Sequence, residues 1–411
     1  MNLLKQGIEE RAVIKTEYKK QLRIDGRTES FGVYEIRLDL LYYNDQNDRI
    51  ATWMSKYRSD NHIDNIDKSD IASYNRIIEE FIVDSNPDAM KRTKNNIRAI
   101  GQQEFGVVLN DGRIIDGNRR FTCLRQIERE TGQPQFFKAV ILSHDIEHNA
   151  KQIKMLELAL QLGVDKPVDY DPVDRLVGLY QVVEETKLLT VEEYAANTSV
   201  DADLSKAVKK LKNDLVQAKL MIEYLEFLNA KKQYHLVKEL NLYYPIEELS
   251  KILKDFDEND DRKEDVKNIV FANFTVLPEG DMTRYIRKIK KIINNKRFVN
   301  EFIDDQMELA ENVVEIIDEN ETVDESVIST QLRNNQLSND FSQSTEKWLA
   351  KAESDASKNQ PALLLEKAYN TIDSIDTYIF LKMSGEELEL VSDRIERIIK
   401  KLDDLKGELD V

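Results

Sequence analysis

Between Phe105 and Gly132 the chain reads "FGVVLNDGRIIDGNRRFTCLRQIERETG", and its apolar period changes within that stretch. Val107 to Leu109 form one short apolar run, and Ile114 and Ile115 form another. Between them stands "NDG", which predicts a β-hairpin with Asp111-Gly112 as a two-residue turn. After Gly117 the spacing becomes helical through Phe121, Leu124 and Ile127, so a helix is expected from about Arg119 to Glu130, ending near Gly132. A chain with this order must aim the start of that helix at whatever lies beyond the hairpin. The start carries Gly117, Asn118, Arg119 and Arg120. Backbone N–H groups, the positive end of a helix dipole and a guanidinium fork together suit an anion. A glycine there lets the backbone approach closely.

The flanking segments extend this mixed pattern. "FGVYEIRLDLLYY" reads as a strand, and "RIATWMSKY" as a short helix. "SDIASYNRIIEEFI" is helical, with Ser69 or Asp70 as N-cap. "NPDAMKRTKNNIRAIG" sets Asn86 at the N-cap, Pro87 at the first helical position and Gly101 at the stop. "FFKAVIL" reads as a buried strand. From about 150 the chain turns helical. "DPVDRLVGLYQVVEETKL" begins with Asp171 as N-cap and Pro172 inside it, and the helices of 190–226 loosely resemble a helix-turn-helix. The fold class expected is α+β at the N-terminus followed by mainly α-helical regions. The expected division is 1–165, with a core at about 33–150; 166–250, helix-turn-helix-like; 251–328, with a basic amphipathic helix; 329–345, a polar linker; and 346–411, an acidic helical module of near-heptad spacing.

Charge sharpens that division. The 411 residues carry a net charge of −18. Residues 301–411 hold 27 Asp and Glu against 11 Lys and Arg, so the first 300 residues are nearly neutral and can carry a local basic site. Seven Lys or Arg lie between Arg284 and Arg297 beside an apolar stripe of Ile286, Ile289 and Ile293. That helix suits nucleic acid or the acidic C-terminal helices, and the second pairing is favoured. Lys206, Lys209, Lys210 and Lys212 form a further basic face suited to DNA phosphates. The single cysteine excludes an intramolecular disulfide and a Cys-based zinc site. The absence of an apolar leader or a 20-residue apolar span predicts a cytoplasmic protein with no membrane partner. His144 and His148 stand at i,i+4 spacing with no third ligand in view, so no metal site is assigned.

Three segments in order resemble the N-terminal domain of the ParB/sulfiredoxin superfamily. "NDQNDR" is similar to its first box, with Asn44, Asn47 and Arg49 at the Asn, Gln and Arg positions. "NIRAIGQQEFGVVLNDGRIIDGNRR" is similar to the second, with Gly117, Arg119 and Arg120. "ALQLGVDKPVDYDPVDRL" is similar to the third, with Leu160-Gln161 and then Asp171, Pro172 and Asp174. "DGNRR" is also similar to the DGQHR and DGQQR turns of ParB-like proteins in defence systems. The resemblance covers roughly residues 33–185.

It implies a pocket for ATP or CTP whose phosphates meet Arg49, Gly117, Asn118, Arg119, Arg120 and Gln161, with Asn44, Asn47, Asp116 and Asp174 as secondary members. Magnesium accompanies CTP in ParB proteins. The Glu-Asn pair that assists there is Leu158-Ala159 here, which leaves Glu157 or Asp116 as substitutes. Cys123 falls one turn after the position of the sulfiredoxin cysteine, beside Leu124 and Ile127, and reads as core; sulfiredoxin activity is not expected. The function implied is nucleotide binding, with or without hydrolysis, switching DNA or partner contacts or homodimerisation. The alternatives are a non-catalytic DNA-binding regulator and a nuclease component of a phage-defence system.

Overall fold

The computed structural model describes residues 2–24, 27–45, 47–142, 150–162, 171–198, 203–257, 260–277, 280–333, 335–356 and 360–409. The molecule is α+β and 70% helical. Among the described residues no helix is long and apolar enough to cross a membrane. The chain divides into two compact units, Met1–Thr345 and Glu346–Val411, and the boundaries expected near 165, 250 and 328 fall inside the first.

The first unit is built on a five-stranded mixed sheet. Its strands are β1 (Val13–Ile24), β2 (Arg27–Arg37), β3 (Gly106–Leu109), β4 (Ile114–Asp116) and β5 (Phe136–Leu142), in the order β1-β2-β5-β3-β4. Only β3 and β5 run parallel; the other neighbours are antiparallel. The sequence reading missed β1. Its alternation is broken by a register shift between Lys15 and Lys19. The Asp25-Gly26 dipeptide between two alternating runs was the available signal. The second hairpin forms as expected, but its turn is different. Gly112 N–H donates to Leu109 O, and Leu109 N–H donates to Arg113 O. The turn therefore centres on Asn110-Asp111, and Gly112 follows at φ 97°, as in a three-residue hairpin loop closed by a left-handed glycine.

Alternation along the strands sorts the sheet into two faces. Ile36, Val108, Ile114, Phe137 and Ala139 join Tyr43, Tyr74 and Phe121 in one core. Helices α1 (Ala51–Asn61), α2 (Ile71–Ser85), α3 (Pro87–Ile100) and α4 (Asn118–Thr131) lie with this core. Val33, Val107, Leu109, Ile115 and Val140 face the other way, onto Ile153 and Leu156 of α5 (Ala150–Gln161). The expected caps are in place: Asp70 accepts from Ala72 N and Ser73 N, Asn86 accepts from Ala89 N, and Gly101 and Gly132 end α3 and α4.

The helical part of this unit contains α6 (Pro172–Tyr180), α7 (Val191–Thr198), α8 (Leu204–Phe227), α9 (Tyr234–Glu239), α10 (Tyr243–Leu253), α11 (Arg262–Val276), α12 (Met282–Ile293), α13 (Val299–Asp318) and the start of α14 (Asn335–Ala356). The polar stretch 329–345 is not a linker. It is largely helical, and Phe341 and Thr345 are fully buried. Composition misleads here because the buried contact is a hydrogen-bond network. Tyr285 Oη lies 2.6 Å from Thr345 Oγ1 and donates to Asn273 Oδ1 at 2.9 Å, while Asn273 Nδ2 donates to Gln306 Oε1. The basic helix α12 buries Ile286, Ile289, Ile292 and Ile293. Arg287 pairs with Glu248 and Lys290 with Asp255, so acids of the α10 region, within the same unit, meet these two bases, in place of the C-terminal acids expected to do so.

In the second unit, α15 (Gln360–Asp373) and α16 (Gly385–Leu409) are helical as expected, and none of residues 361–409 is buried.

Candidate functional site: an arginine-rich cleft

The fold brings most of the expected residues to one place. Asn47, Arg49, Asp116, Gly117, Asn118, Arg119, Arg120 and Gln161 all line a cleft of about 900 Å³, a volume typical of small-molecule sites. Lys20 from β1 and Arg92 from α3 join them. Sequence reading missed both, because each comes from an element remote from the motif. The lining carries five cations (Lys20, Arg49, Arg92, Arg119, Arg120) against two carboxylates, Glu104 and Asp116.

The motif sits where β4 ends and α4 begins. Gly117 takes φ 106° and ψ 17° as the N-cap, and no side chain caps this helix start. A side chain at Gly117 would place its Cβ 2.7 Å from Phe137 Cζ, so the tight turn requires glycine. Uncapped N–H groups at a helix start are ready donors for an anion. Beside them Asn118 is only 9% exposed, and its Oδ1 is buried with no hydrogen-bond partner. A buried amide oxygen left unpaired is costly unless something else meets it.

The two arginines are not equivalent. Arg120 Nη2 donates to Asp116 Oδ2 at 3.0 Å, and Lys20 Nζ lies 3.4 Å from the same oxygen. Arg119 makes no ion pair among the described residues. Burial holds its guanidinium below the usual range, and the like charges of Arg49, Arg120 and Arg92 add to the effect. Lys20 is also held low, first by burial and partly by Arg120, with Asp116 opposing. The resemblance gives Arg119 and Arg120 the same role, at the phosphates. The structure commits Arg120 to Asp116 and leaves Arg119 facing the cleft's positive charge alone.

A second ionic group lies behind Arg49. Lys154 Nζ sits 2.7 Å from Asp48 Oδ1 and 3.5 Å from Glu157 Oε2, all three side chains nearly buried. Burial pushes Glu157 up to about 7, with Lys154 opposing and Asp48 reinforcing that shift. For Lys154 burial acts downward, but Asp48 and Glu157 outweigh it and raise its pKa. Asn44 Nδ2 and Gln161 Nε2 both donate to Glu157 Oε1, and Arg49 Nη2 donates to Gln161 O. Two of the expected residues therefore leave the site. Asn44 is buried against Glu157 rather than lining the cleft. Asp174 is 1% exposed and accepts from Thr52 N at 2.8 Å, near the start of α1, where Ile50 offers no side-chain cap. Burial pushes Asp174 up to about 7, opposed by that backbone hydrogen bond and by Lys238. Glu157, considered as a metal ligand, is engaged by Lys154.

Cys123 is fully buried, its Sγ 3.7 Å from Met90 O, and burial pushes its thiol up to about 11, the state of a core cysteine. His144 and His148 lie outside the described residues, as do residues 163–170 of the third box. Among the described residues no group of three or more His, Cys, Asp or Glu is arranged to hold a metal ion. Lys206, Lys209, Lys210 and Lys212 are exposed on α8, and Lys212 pairs with Glu192 at 3.2 Å. A second cleft of about 800 Å³ is also lined by Asn47. It carries mixed charge, with Asp45, Asp48, Asp64 and Glu185 beside Arg58, Lys231 and Lys232, so only the first cleft concentrates cations. Comparison of the chain with family models, curated proteins and solved structures finds no match.

Proposed function

We propose that the arginine-rich cleft binds a nucleotide, ATP or CTP, through its phosphates. One observation carries this reading: Arg119, a half-buried guanidinium without a carboxylate partner among the described residues, stands among further cations beside an uncapped helix start. Such an array is stabilised by a polyanion, and little else relieves it. The ParB/sulfiredoxin-like order of the three boxes supports the same ligand class. Arg119 and the α4 N–H groups meet the phosphates, Gly117 permits their approach, and Arg49 and Gln161 close the wall. Magnesium would enter with the nucleotide phosphates. Nucleotide occupancy would then bias the contacts this protein makes with DNA, a partner or a second copy.

The test is a thermal-shift titration with ATP, CTP and GTP, with and without magnesium, followed by phosphate release. The wild type should be stabilised by ATP or CTP. The Arg119→Ala, Arg120→Ala double variant should keep its circular dichroism spectrum and lose that stabilisation. Undiminished binding by the double variant refutes the site. Binding without phosphate release selects the non-catalytic form of the reading.

A second reading, DNA contact by the α7–α8 pair, is favoured by Lys206, Lys209 and Lys210, exposed on α8 without an ion pair among the described residues. Their replacement by Glu should abolish salt-sensitive binding of duplex DNA measured by fluorescence anisotropy; an unaltered isotherm removes it.

A further inference from the structure

Asp116 is the carboxylate that stands directly beside the anion-binding turn, and a phosphate does not explain it. It closes β4 immediately before Gly117, and it lines the same cavity as Arg119 and Asn118. A carboxylate there repels an anionic ligand unless it is neutralised or has its own task. The hydrogen bonds show how the two possibilities divide between its oxygens. Arg120 Nη2 and Lys20 Nζ both reach Oδ2. Among the described residues no hydrogen bond falls on Oδ1. Its side chain is 23% exposed, so the carboxylate is neither sealed into the core nor set out in bulk water. Two cations on one oxygen offset the charge and fix the orientation of the group. The other oxygen is left as an acceptor, and a carboxylate oxygen has nothing to donate.

The cleft thus presents two opposite demands a short way apart along the chain. At Arg119 and the start of α4 it offers donors and positive charge. At Asp116 it offers an acceptor. A bare polyphosphate meets the first demand only, and so does the backbone of DNA, whose sugars carry no free hydroxyl within the strand. A ribonucleotide meets both, because its phosphates accept and its vicinal hydroxyls donate. Carboxylates reading ribose hydroxyls are a general solution in nucleotide sites. We propose that Asp116 is the sugar-reading residue of this cleft: the ligand's hydroxyls donate to Asp116 Oδ1 while its phosphates meet Arg119 and the start of α4. The role rests on the nucleotide reading above and narrows it to ribose-bearing nucleotides. Arg120 and Lys20 are positioning residues that hold the carboxylate.

The experiment compares ATP, 2′,3′-dideoxy-ATP and inorganic tripolyphosphate by calorimetric titration in EDTA, with CTP and its dideoxy form in parallel. It uses the full-length wild type, Asp116→Ala and Arg119→Ala. A hydrogen bond to a charged group predicts that the wild type prefers the ribose form by about tenfold or more. In Asp116→Ala that ratio should collapse towards one. Tripolyphosphate should bind the variant at least as tightly as the wild type, because Arg120 and Lys20 are released. Arg119→Ala should weaken all three ligands and leave the ratio intact. Equal binding of ribose and dideoxy forms by the wild type overturns the role of Asp116 while leaving the phosphate site standing. So does a ratio unchanged in Asp116→Ala, or a preference seen only after magnesium is added, which would put a cation on Oδ1. Failure of the wild type to bind any of these ligands, both in EDTA and with magnesium added, overturns both readings.

Discussion

Arg49 stands between two ionic groups that are balanced in opposite ways. Behind it, Lys154 is held by Asp48 and Glu157, and Asn44 and Gln161 supply further donors to Glu157. In front of it, Arg119 shares a cleft with four other cations and only two carboxylates. The rear group is nearly buried, with more negative than positive charge, and burial, reinforced by Asp48, raises the pKa of Glu157. The front group is open and has more positive than negative charge. A buried group completed from within the chain holds the fold, whereas a group that the chain leaves incomplete is available to a ligand. The difference predicts that substitutions behind Arg49 act on stability and substitutions in front of it act on binding.

The largest effect should come from the rear group. Lys154→Met removes the cation from between two buried carboxylates and should lower the unfolding free energy by about 3–5 kcal/mol, read from urea denaturation. Adding Asp48→Asn and Glu157→Gln to that variant should recover a substantial part of the loss, because no uncompensated charge then remains. A change below about 1 kcal/mol for Lys154→Met alone would show that the group is not structural and break the contrast.

This contrast marks the limit of what the sequence revealed. The caps were legible because a side-chain oxygen and the N–H groups it receives are two or three residues apart, as at Asp70, Asn86 and Asp171. The cleft was legible where the donors are contiguous, from Gly117 to Arg120, and where box order carried Arg49 and Gln161 to the same wall. Lys20 and Arg92 were not, since only the sheet and α3 bring them there. The partition of roles between the two arginines was also hidden: the i,i+4 pair of Asp116 and Arg120 is visible in sequence, but the lack of a partner for Arg119 depends on burial and on distant charges. Asp174 shows the converse. The resemblance makes it a secondary member of the pocket, and its neighbour Asp171 caps its helix as expected, yet its carboxylate serves the start of α1. Buried hydrogen bonding also disguised 329–345, where Thr345 meets Tyr285 and the polar composition suggested a linker.

Asp174 gives the intermediate prediction, through pH. Its folded pKa is raised to about 7 from an ordinary aspartate value. The folded state therefore keeps a proton that the unfolded chain releases. Stability from this group is fully present only below the unfolded pKa of about 4 and is lost as pH rises to about 7, by up to about 4 kcal/mol. Glu157 acts in the same direction over the same window. Asp174→Asn keeps an acceptor for Thr52 N–H and cannot ionise. Its urea midpoint should fall less between pH 4 and pH 8 than that of the wild type. Parallel curves for the two proteins would assign the slope elsewhere.

The smallest effect on stability should come from the residue with the largest effect on binding. Arg119 has no ion pair among the described residues to lose, and burial among Arg49, Arg92 and Arg120 already disfavours its charge. Arg119→Ala should therefore shift the unfolding free energy by no more than about 0.5 kcal/mol, with a gain as reasonable as a loss. A helix start also tolerates alanine at this position well. The stem of the arginine buries some apolar surface, which works against a gain, and the relief of like-charge repulsion works for it. Low salt amplifies the second term, so the gain should grow as ionic strength falls. If Arg119→Ala instead cost several kcal/mol at all salt concentrations, the guanidinium would be a structural partner, and the cleft would be as complete as the group behind Arg49.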